Sequence, residues 1–586
     1  MNMPAHTHTT AQNAAPNNNN NNKNDSQTPP LADVGLLLEG TYPYVSGGVS
    51  SWVHQIINGF PDLTFALCFL GSRKQDYGDK KFTLPTNVVH LEEHYLNETG
   101  GAPPIINAKG DKPMFELNRE LHDYFRDPEV MAERGAEMLE QMASELEGRM
   151  NRSQFLYTEA SWNYLTEQYA QRCTDPSFVD YFWTVRTMHA PIWMLSHIVE
   201  TFPPVRCYHS VSTGYAGFLG ALLKRRHGKS LILSEHGIYT KERRIDLYAA
   251  RWIADNRTML QRDATQAGYF RTMWIRFFEA LGRMCYDASD QIIALYEANR
   301  LRQVQDGARP ERTSNIANGI DVVRFGALRA LRPGTIPPIM CLIGRVVPIK
   351  DIKTYIRATR IMASRQPDIQ AWIAGPEEES PDYARECHEL VASLGLEDNV
   401  KFLGFQKLTD LLPQIGLVVL SSISEALPLV ILEGYAAGVP TVSTDVGSCR
   451  QLIYGLDDED VAFGASGAVV GIADPQALAE AALDLLLDRA AWHKAALAGI
   501  ARVERYYTHP VMFGRYRAVY DQALAGPTIS SSFQSQVAQC PMPVVSGGDA
   551  AADIDSPDEL HAELIEELMQ EQADTLTSTN PVDIRL

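Results

Sequence analysis

The chain has 586 residues, 45% of them hydrophobic and 21% charged, a balance that excludes a mainly disordered, collagen-like or coiled-coil protein. With 52 Lys and Arg against 72 Asp and Glu, the formal net charge is −20, which repels phosphate backbones and argues against a nucleic-acid partner. Half of that excess lies beyond residue 540, where 11 acidic residues accompany a single Arg, so the body is only mildly acidic.

Residues 1–32 include the run Asn17–Asn22 and lack core-forming side chains, so a disordered head is expected. Order is expected from Asp33. Val34–Leu38 is continuously apolar, as a parallel strand covered on both faces requires, and Val49–Phe60 reads as the helix after it. Strand-like runs recur at Phe65–Leu70, Val88–Leu91, Val205–Tyr208, Leu231–Ser234 and Gln291–Leu295, with a helix at Gly214–Arg226. Between about 72 and 200 the alternation breaks into an aromatic-rich stretch, helical where it is periodic, as in Arg119–Met150; it reads as an insertion.

A second series begins at Ile339. Its strands are Ile339–Ile343, Ile369–Ala374, Val400–Leu403, Leu417–Ser421, Thr441–Ser443 and Ala468–Gly471. Helices Ile352–Arg365, Asp382–Leu394, Leu429–Ala437 and Pro475–Leu487 separate them. The expectation is α/β: two Rossmann-like, doubly wound domains facing across a cleft, at 33–320 and 321–526, with Asn318–Asp321 as hinge. Residues 527–586 read as an acidic, mostly disordered tail, with Glu559–Glu571 as a candidate amphipathic helix.

Eight cysteines stand singly, at 68, 173, 207, 285, 341, 387, 449 and 540, with no Cys-x-x-Cys pair. That pattern fits reduced thiols in a cytosolic protein better than disulfides or a zinc knuckle. No run of 18 apolar residues predicts a membrane span, and no basic-then-apolar leader opens the chain.

In such a fold, ligands sit where strands turn into helices. After the strand ending at Ser421, Glu425 lies in the turn, Pro428 suits a first helical position, and Glu433 follows on the helix. Side chains lean toward a helix N-terminus, so both carboxylates can face one ligand. The amides of Ala426, Leu427 and Leu429 can receive an anion. Carboxylates for hydroxyls and amides for phosphates suit a nucleotide-sugar; a carboxylate that only balances the helix dipole also explains Glu425. Gly344, Arg345 and Lys350 follow another buried strand, and the two cations suit a diphosphate or stand as solvated loop charges. Gly47 and Gly48 link the first strand to its helix and permit close backbone approach to a ligand, or make a plain tight turn. His209 and His236 end strands of the first domain, as phosphate or sugar contacts or as satisfied structural histidines. Gly228-Lys229-Ser230 imitates the end of a phosphate loop, but Leu223 stands where its first glycine belongs.

Together, Gly47-Gly48, Asn318-Gly319-Ile320-Asp321, Arg345 with Lys350, Gly375-Pro376-Glu377, Gly404-Phe405, Glu425 with Glu433, and Gly438-Val439-Pro440 resemble the GT4 family of retaining glycosyltransferases, which have the GT-B fold. The opening Glu39–Trp52 and the insertion resemble the PelF group, cytosolic transferases of bacterial Pel exopolysaccharide synthesis. The resemblance implies that Glu433 binds the ribose of UDP, and that Arg345 and Lys350 neutralise the departing diphosphate. Glu425 would hold the donor sugar, Gly47 and Gly48 the phosphates, and His209 the sugar or phosphate. Asn318, His236 and Gly344 would line the substrate site. Leu427 departs from the polar residue expected there. The resemblance also implies a UDP-sugar as co-substrate, a glycan acceptor, no metal or other cofactor, and membrane-embedded synthesis and export partners at the inner membrane. A glycogen-synthase-like transferase, a UDP-sugar 2-epimerase and a non-enzymatic nucleotide-sugar sensor share enough of these features to stay open.

Overall fold

A computed structural model describes residues 31–97, 109–128, 152–250 and 267–526, with a few positions between 134–139 and 252–256. The Asn-rich head, the acidic tail with its candidate helix, and most of 129–151 lie outside the described residues.

The first sheet has seven strands: β1 (Ala32–Glu39), β2 (Phe65–Gly71), β3 (Val88–Tyr95), β4 (Val205–Ser210), β5 (Ser230–Glu235), β6 (Gln291–Ala294) and β7 (Thr313–Asn315). Their order is β3-β2-β1-β4-β5-β6-β7, and all pairings are parallel. Alternate residues of β1 serve opposite faces. Val34, Leu36 and Leu38 pack with Trp52, Val53 and Ile56 of helix Gly48–Gly59, while Leu37 joins the core on the other side. The inserted helices cover that second side. Leu121 and Phe125 of Lys112–Arg126, Val185 and Ile192 of Phe178–Thr201, and Phe277 of Tyr269–Ala288 share its core. The helix expected over Arg119–Met150 ends instead at Arg126, because Pro128 disfavours helical backbone just before it.

The second sheet has six strands: β8 (Ile339–Ile343), β9 (Gln370–Ala374), β10 (Val400–Gly404), β11 (Leu417–Leu420), β12 (Thr441–Thr444) and β13 (Gly467–Val470). Their order is β10-β9-β8-β11-β12-β13, again all parallel. Helix Arg489–Tyr506 is anchored by Arg502, which is fully buried and donates to Asp460 Oδ1 at 2.6 Å and to the carbonyls of Ile453 and Gly464.

Two crossings join the units. Ile320 forms a parallel bridge with Thr508, where the chain returns from the second unit to the first. Helix His509–Leu524 therefore belongs to the first unit, a difference from the boundary at 526. Its Met512, Tyr516, Val519 and Tyr520 are buried against helix Gly48–Gly59 and the sheet. Burying each such side chain contributes about 1.5–3 kcal/mol, so a few anchor the helix.

Candidate functional site

Both sheets reverse their strand order once, between β1 and β4 and between β8 and β11, and crevices open at such points. The second crevice gathers three loops. The loop after β11 is laced to the loop after β8: Ile423 N–H donates to the Ile349 carbonyl at 2.9 Å, and Ser421 Oγ to the Lys350 carbonyl at 2.9 Å. The loop after β12 closes the group. Thr444 Oγ1 donates to the Ser422 carbonyl at 2.6 Å, and Ser448 N–H to the Ala426 carbonyl at 2.9 Å. Gly447 has φ +54°, and a Cβ there would come within 2.2 Å of the Glu425 carbonyl oxygen, so only glycine lets these loops touch.

Lys350 Nζ pairs with Glu425 Oε1, which also accepts from Ser422 Oγ at 2.6 Å. Asp351, next in the chain, takes a left-handed φ of 41° and caps helix Ile352–Arg365 by accepting from Thr354 N–H. Helix Leu429–Ala436 begins beyond Pro428, which takes the capping position and not the first helical one. Glu433 projects from it with no hydrogen-bond partner among the described residues; burial pushes its carboxyl up to about 7, against the pull of Arg324. Leu427 turns into the core, so that position offers a ligand its backbone alone, whereas Ala426 and Leu429 are partly exposed. Gly344 stands beside Lys350: a Cβ on it would meet Lys350 Cε at 3.4 Å.

Arg345 stands apart. Its guanidinium is half exposed and donates to both oxygens of Glu379, at 2.5 and 2.6 Å. The structure thus brings Lys350, Glu425 and Ser422 into contact and holds Arg345 elsewhere.

At the first crevice a cavity of about 510 Å³ opens above β1, β2 and β5. Glu39, the last residue of β1, is fixed there. It accepts from Tyr239 Oη at 2.8 Å and from the Ala216 N–H at 3.1 Å, at the start of helix Tyr215–His227. A Cβ at Gly214 would come within 2.6 Å of Glu39 and 2.4 Å of Tyr239, so glycine makes room for that pair. Arg243 lies 3.9 Å from Glu39. Glu235 is fully buried, and burial pushes it up to about 7 although Tyr286, Gln303 and Thr213 donate to it. Trp252, Trp274 and Phe278 supply an aromatic wall. Glu39, Tyr239 and Arg243 escaped the sequence reading; an acidic residue closing a buried strand was the available signal.

His236 lines this cavity, stacks edge-on with Trp52 at 4.6 Å and meets Asn318 Nδ2 at 3.5 Å. Among the described residues, its Nε2 and Asn318 Oδ1 are buried without a hydrogen-bond partner. His209 cannot. It is fully buried, with Nδ1 bonded to Tyr520 Oη at 2.9 Å and Nε2 to Ser234 Oγ at 2.8 Å. Burial pushes it down to about 3, so it ties the returning helix to the first sheet as a neutral imidazole. Gly47 and Gly48 are exposed, and a Cβ on either would meet nothing within 4 Å. Gly47 is extended at φ 169°, which any residue adopts, so the fold itself does not demand glycine there.

Comparison with known proteins places this geometry. Residues 329–500 match the family described as glycosyl transferases group 1. Residues 32–311 match a domain of unknown function, DUF3492. A D-inositol 3-phosphate glycosyltransferase of Catenulispora acidiphila is 32% identical over 216 residues, 34% of this chain and 48% of that one. The lipopolysaccharide core biosynthesis mannosyltransferase LpsB of Rhizobium meliloti is 28% identical, over 36% of this chain and 60% of its own. The chain spans about half the length of the inositol-phosphate relatives it matches, 48% and 44%. Among solved structures, Anabaena HepE in complex with UDP superimposes with a TM-score of 0.52 at 15% identity, covering 84% of this chain and 100% of that one. Sucrose-phosphate synthase of Thermosynechococcus elongatus gives 0.50 at 16% identity, covering 84% and 99%. Both carry the fold expected from the two alternating series, and the two-sheet architecture is GT-B. No described helix is long and apolar enough to cross a membrane.

Proposed function

We propose that the protein is a retaining glycosyltransferase that moves a sugar from a UDP-sugar onto a growing exopolysaccharide of the Pel type, with PelF as the group it resembles. The observation that carries the reading is the Lys350–Glu425 pair at the β8/β11 crevice, in a stretch that matches group 1 glycosyl transferases, with Glu433 on the helix that follows β11. Glu433, without a hydrogen-bond partner among the described residues, accepts from the ribose hydroxyls. Glu425, steadied by Ser422, accepts from hydroxyls of the donor sugar. Lys350 stabilises the diphosphate as negative charge accumulates on it, which lowers the transition state more than the ground state. Arg345 adds a second cation once it exchanges Glu379 for the ligand. Gly47 and Gly48 leave open space for phosphate against their backbone. The cavity above Glu39, with its carboxylates and aromatic wall, takes the acceptor glycan.

The reaction proceeds on one face of the donor sugar. The anomeric carbon–oxygen bond to the diphosphate breaks, and the acceptor oxygen bonds that carbon. The acceptor proton passes to the departing diphosphate oxygen, so no metal is needed at that oxygen. His209, with both nitrogens engaged inside the protein, acts by tying the returning helix to the first sheet. The site works in the cytoplasm, beside membrane partners that export the product.

The test incubates purified protein with UDP-sugars, with and without acceptor glycan, follows free UDP, and reads the new linkage by NMR. Acceptor-dependent UDP release with an α-linked product from an α-linked donor is expected. A β-linkage, or UDP release that ignores acceptor, refutes the reading; conversion of the donor sugar without an acceptor marks an epimerase.

A further inference from the structure

The edge strand β3 carries His90, Glu92 and His94 at alternate positions, so all three project from one face of the sheet. On the neighbouring β2, Cys68 lies directly opposite Glu92. Cys68 is fully buried, while Glu92 and His94 are partly open to solvent, so the group has a closed floor and an accessible mouth. Glu92 Oε1 and His94 Nε2 are 2.8 Å apart, and Glu92 Oε2 bonds His90 Nε2 at 3.3 Å. One ligand-type atom from each of Cys68, Glu92 and His94 falls within 4.8 Å of the other two.

We propose that Cys68 Sγ, Glu92 Oε1 and His94 Nε2 form a three-ligand structural site for zinc or a zinc-like divalent cation, with water as the fourth ligand. Thiolate, carboxylate and imidazole together are a borderline-soft set, which favours zinc over magnesium or calcium. Tetrahedral bonds of about 2.0–2.3 Å set the donor atoms roughly 3.3–3.7 Å apart, so side-chain adjustments of about 1 Å convert the group into a site. On binding, the Cys68 thiol releases its proton to solvent. The thiolate and carboxylate charges then cancel the cation's charge in a layer otherwise lined by Ala66, Leu70 and Leu96. His90, bonded to the other Glu92 oxygen, orients the carboxylate as outer-sphere partners of metal ligands do.

The position suggests what the cation holds. Leu70 pairs with His94, and the residues just beyond, Gly71 at the end of β2 with Ser72 after it, and Leu96 and Asn97 after β3, line the 510 Å³ cavity. A cation bridging β2 and β3 clamps an edge strand immediately below the cavity rim, remote from the Lys350–Glu425 pair. It therefore belongs to the architecture of the first unit and not to the diphosphate chemistry.

The full-length protein, stripped with chelator and re-equilibrated with zinc alone or cobalt(II) alone, tests this. One equivalent of retained metal is expected, and the cobalt protein should show a thiolate-to-cobalt charge-transfer band with tetrahedral visible bands. Cys68→Ser should abolish that band, and either Cys68→Ser or His94→Ala, each removing a direct ligand, should lower metal affinity by more than the roughly 10- to 100-fold that loss of an outer-sphere partner costs. Replacing the two histidines of the Asn-rich head, His6→Ala with His8→Ala, which could bind a stray metal, should leave stoichiometry unchanged. Retention unaffected by Cys68→Ser and His94→Ala, or no metal retained at micromolar zinc, overturns the proposal. If the variants do not fold, a wild-type cobalt spectrum without a thiolate band overturns it equally.

Discussion

Replacing Glu433 by Gln should make the unliganded protein more stable and bind UDP less well, two effects of opposite sign from one substitution. Burial raises the Glu433 carboxyl from an ordinary 4.5 to about 7. Between those values the folded protein holds a proton that the unfolded chain has lost. Stability therefore falls as pH rises from 4.5 to 7, and the full cost persists above 7. At one pKa unit per 1.36 kcal/mol, that cost is at most about 3 kcal/mol. Gln is uncharged and avoids it. Glu433→Gln should thus raise the thermal midpoint at pH 8 by several degrees and leave it unchanged near pH 4.5. The same charge is what ribose hydroxyls bond. A bond to a charged acceptor is worth about 1.5–3 kcal/mol and one to a neutral acceptor about 0.5–1.5, so the exchange costs about 1–1.5 kcal/mol and UDP affinity should drop about 5- to 10-fold at pH 8. Wild-type affinity should weaken as pH falls below about 7, while the variant's stays flat. Scanning calorimetry and titration calorimetry over pH 5–8.5 measure both. A variant less stable at pH 8 would refute the desolvation reasoning, and unchanged UDP affinity would refute the ribose assignment.

Lys350→Met should lower kcat about 10²–10³-fold, the loss typical of one oxyanion-stabilising donor, with circular dichroism unchanged; a loss under tenfold contradicts its role at the diphosphate. Gly47→Ala should fold with an unaltered midpoint, because its Cβ meets nothing, yet reduce kcat/KM at least tenfold if phosphate occupies that space. Gly447→Ala should destabilise by about 1–3 kcal/mol and impair turnover, since its Cβ collides with the Glu425 carbonyl; a neutral result in urea melts would mean the three loops do not touch as described. Turnover should persist in EDTA. Restoration of a lost activity by magnesium or manganese would contradict cation-held diphosphate, whereas restoration by zinc alone would point to the strand site.

Much of the fold is legible in the chain because parallel strands covered on both faces must be continuously apolar. β8 and the helices Ile352–Arg365 and Pro475–Leu487 stand where that pattern sets them, to the residue. β7, three residues of Thr, Ser and Asn, lacks the apolar signal, because it is a short edge strand held mainly by backbone pairing. Acids and cations at strand ends are visible as types, which is how Lys350, Glu425 and Glu433 come to be candidates, and the structure brings the first two into contact. What spacing does not contain is which charge a flexible side chain chooses. Arg345 turns to Glu379, 34 residues away, and Lys350 to Glu425, 75 residues away, and only the packing of loops from different strands sets those partners. The same holds for His209. Its place at the end of a strand suggested a ligand contact, but its nitrogens are taken by Ser234 and by Tyr520, the latter 311 residues on. The sequence determined two alternating α/β units and the residue types at their crevices, since local pattern and strand burial obey short-range rules. The returning helix, the cavity above Glu39 and the meeting of Cys68 with Glu92 and His94 were decided by tertiary structure alone, because each depends on contacts between strands and helices that chain order does not place side by side.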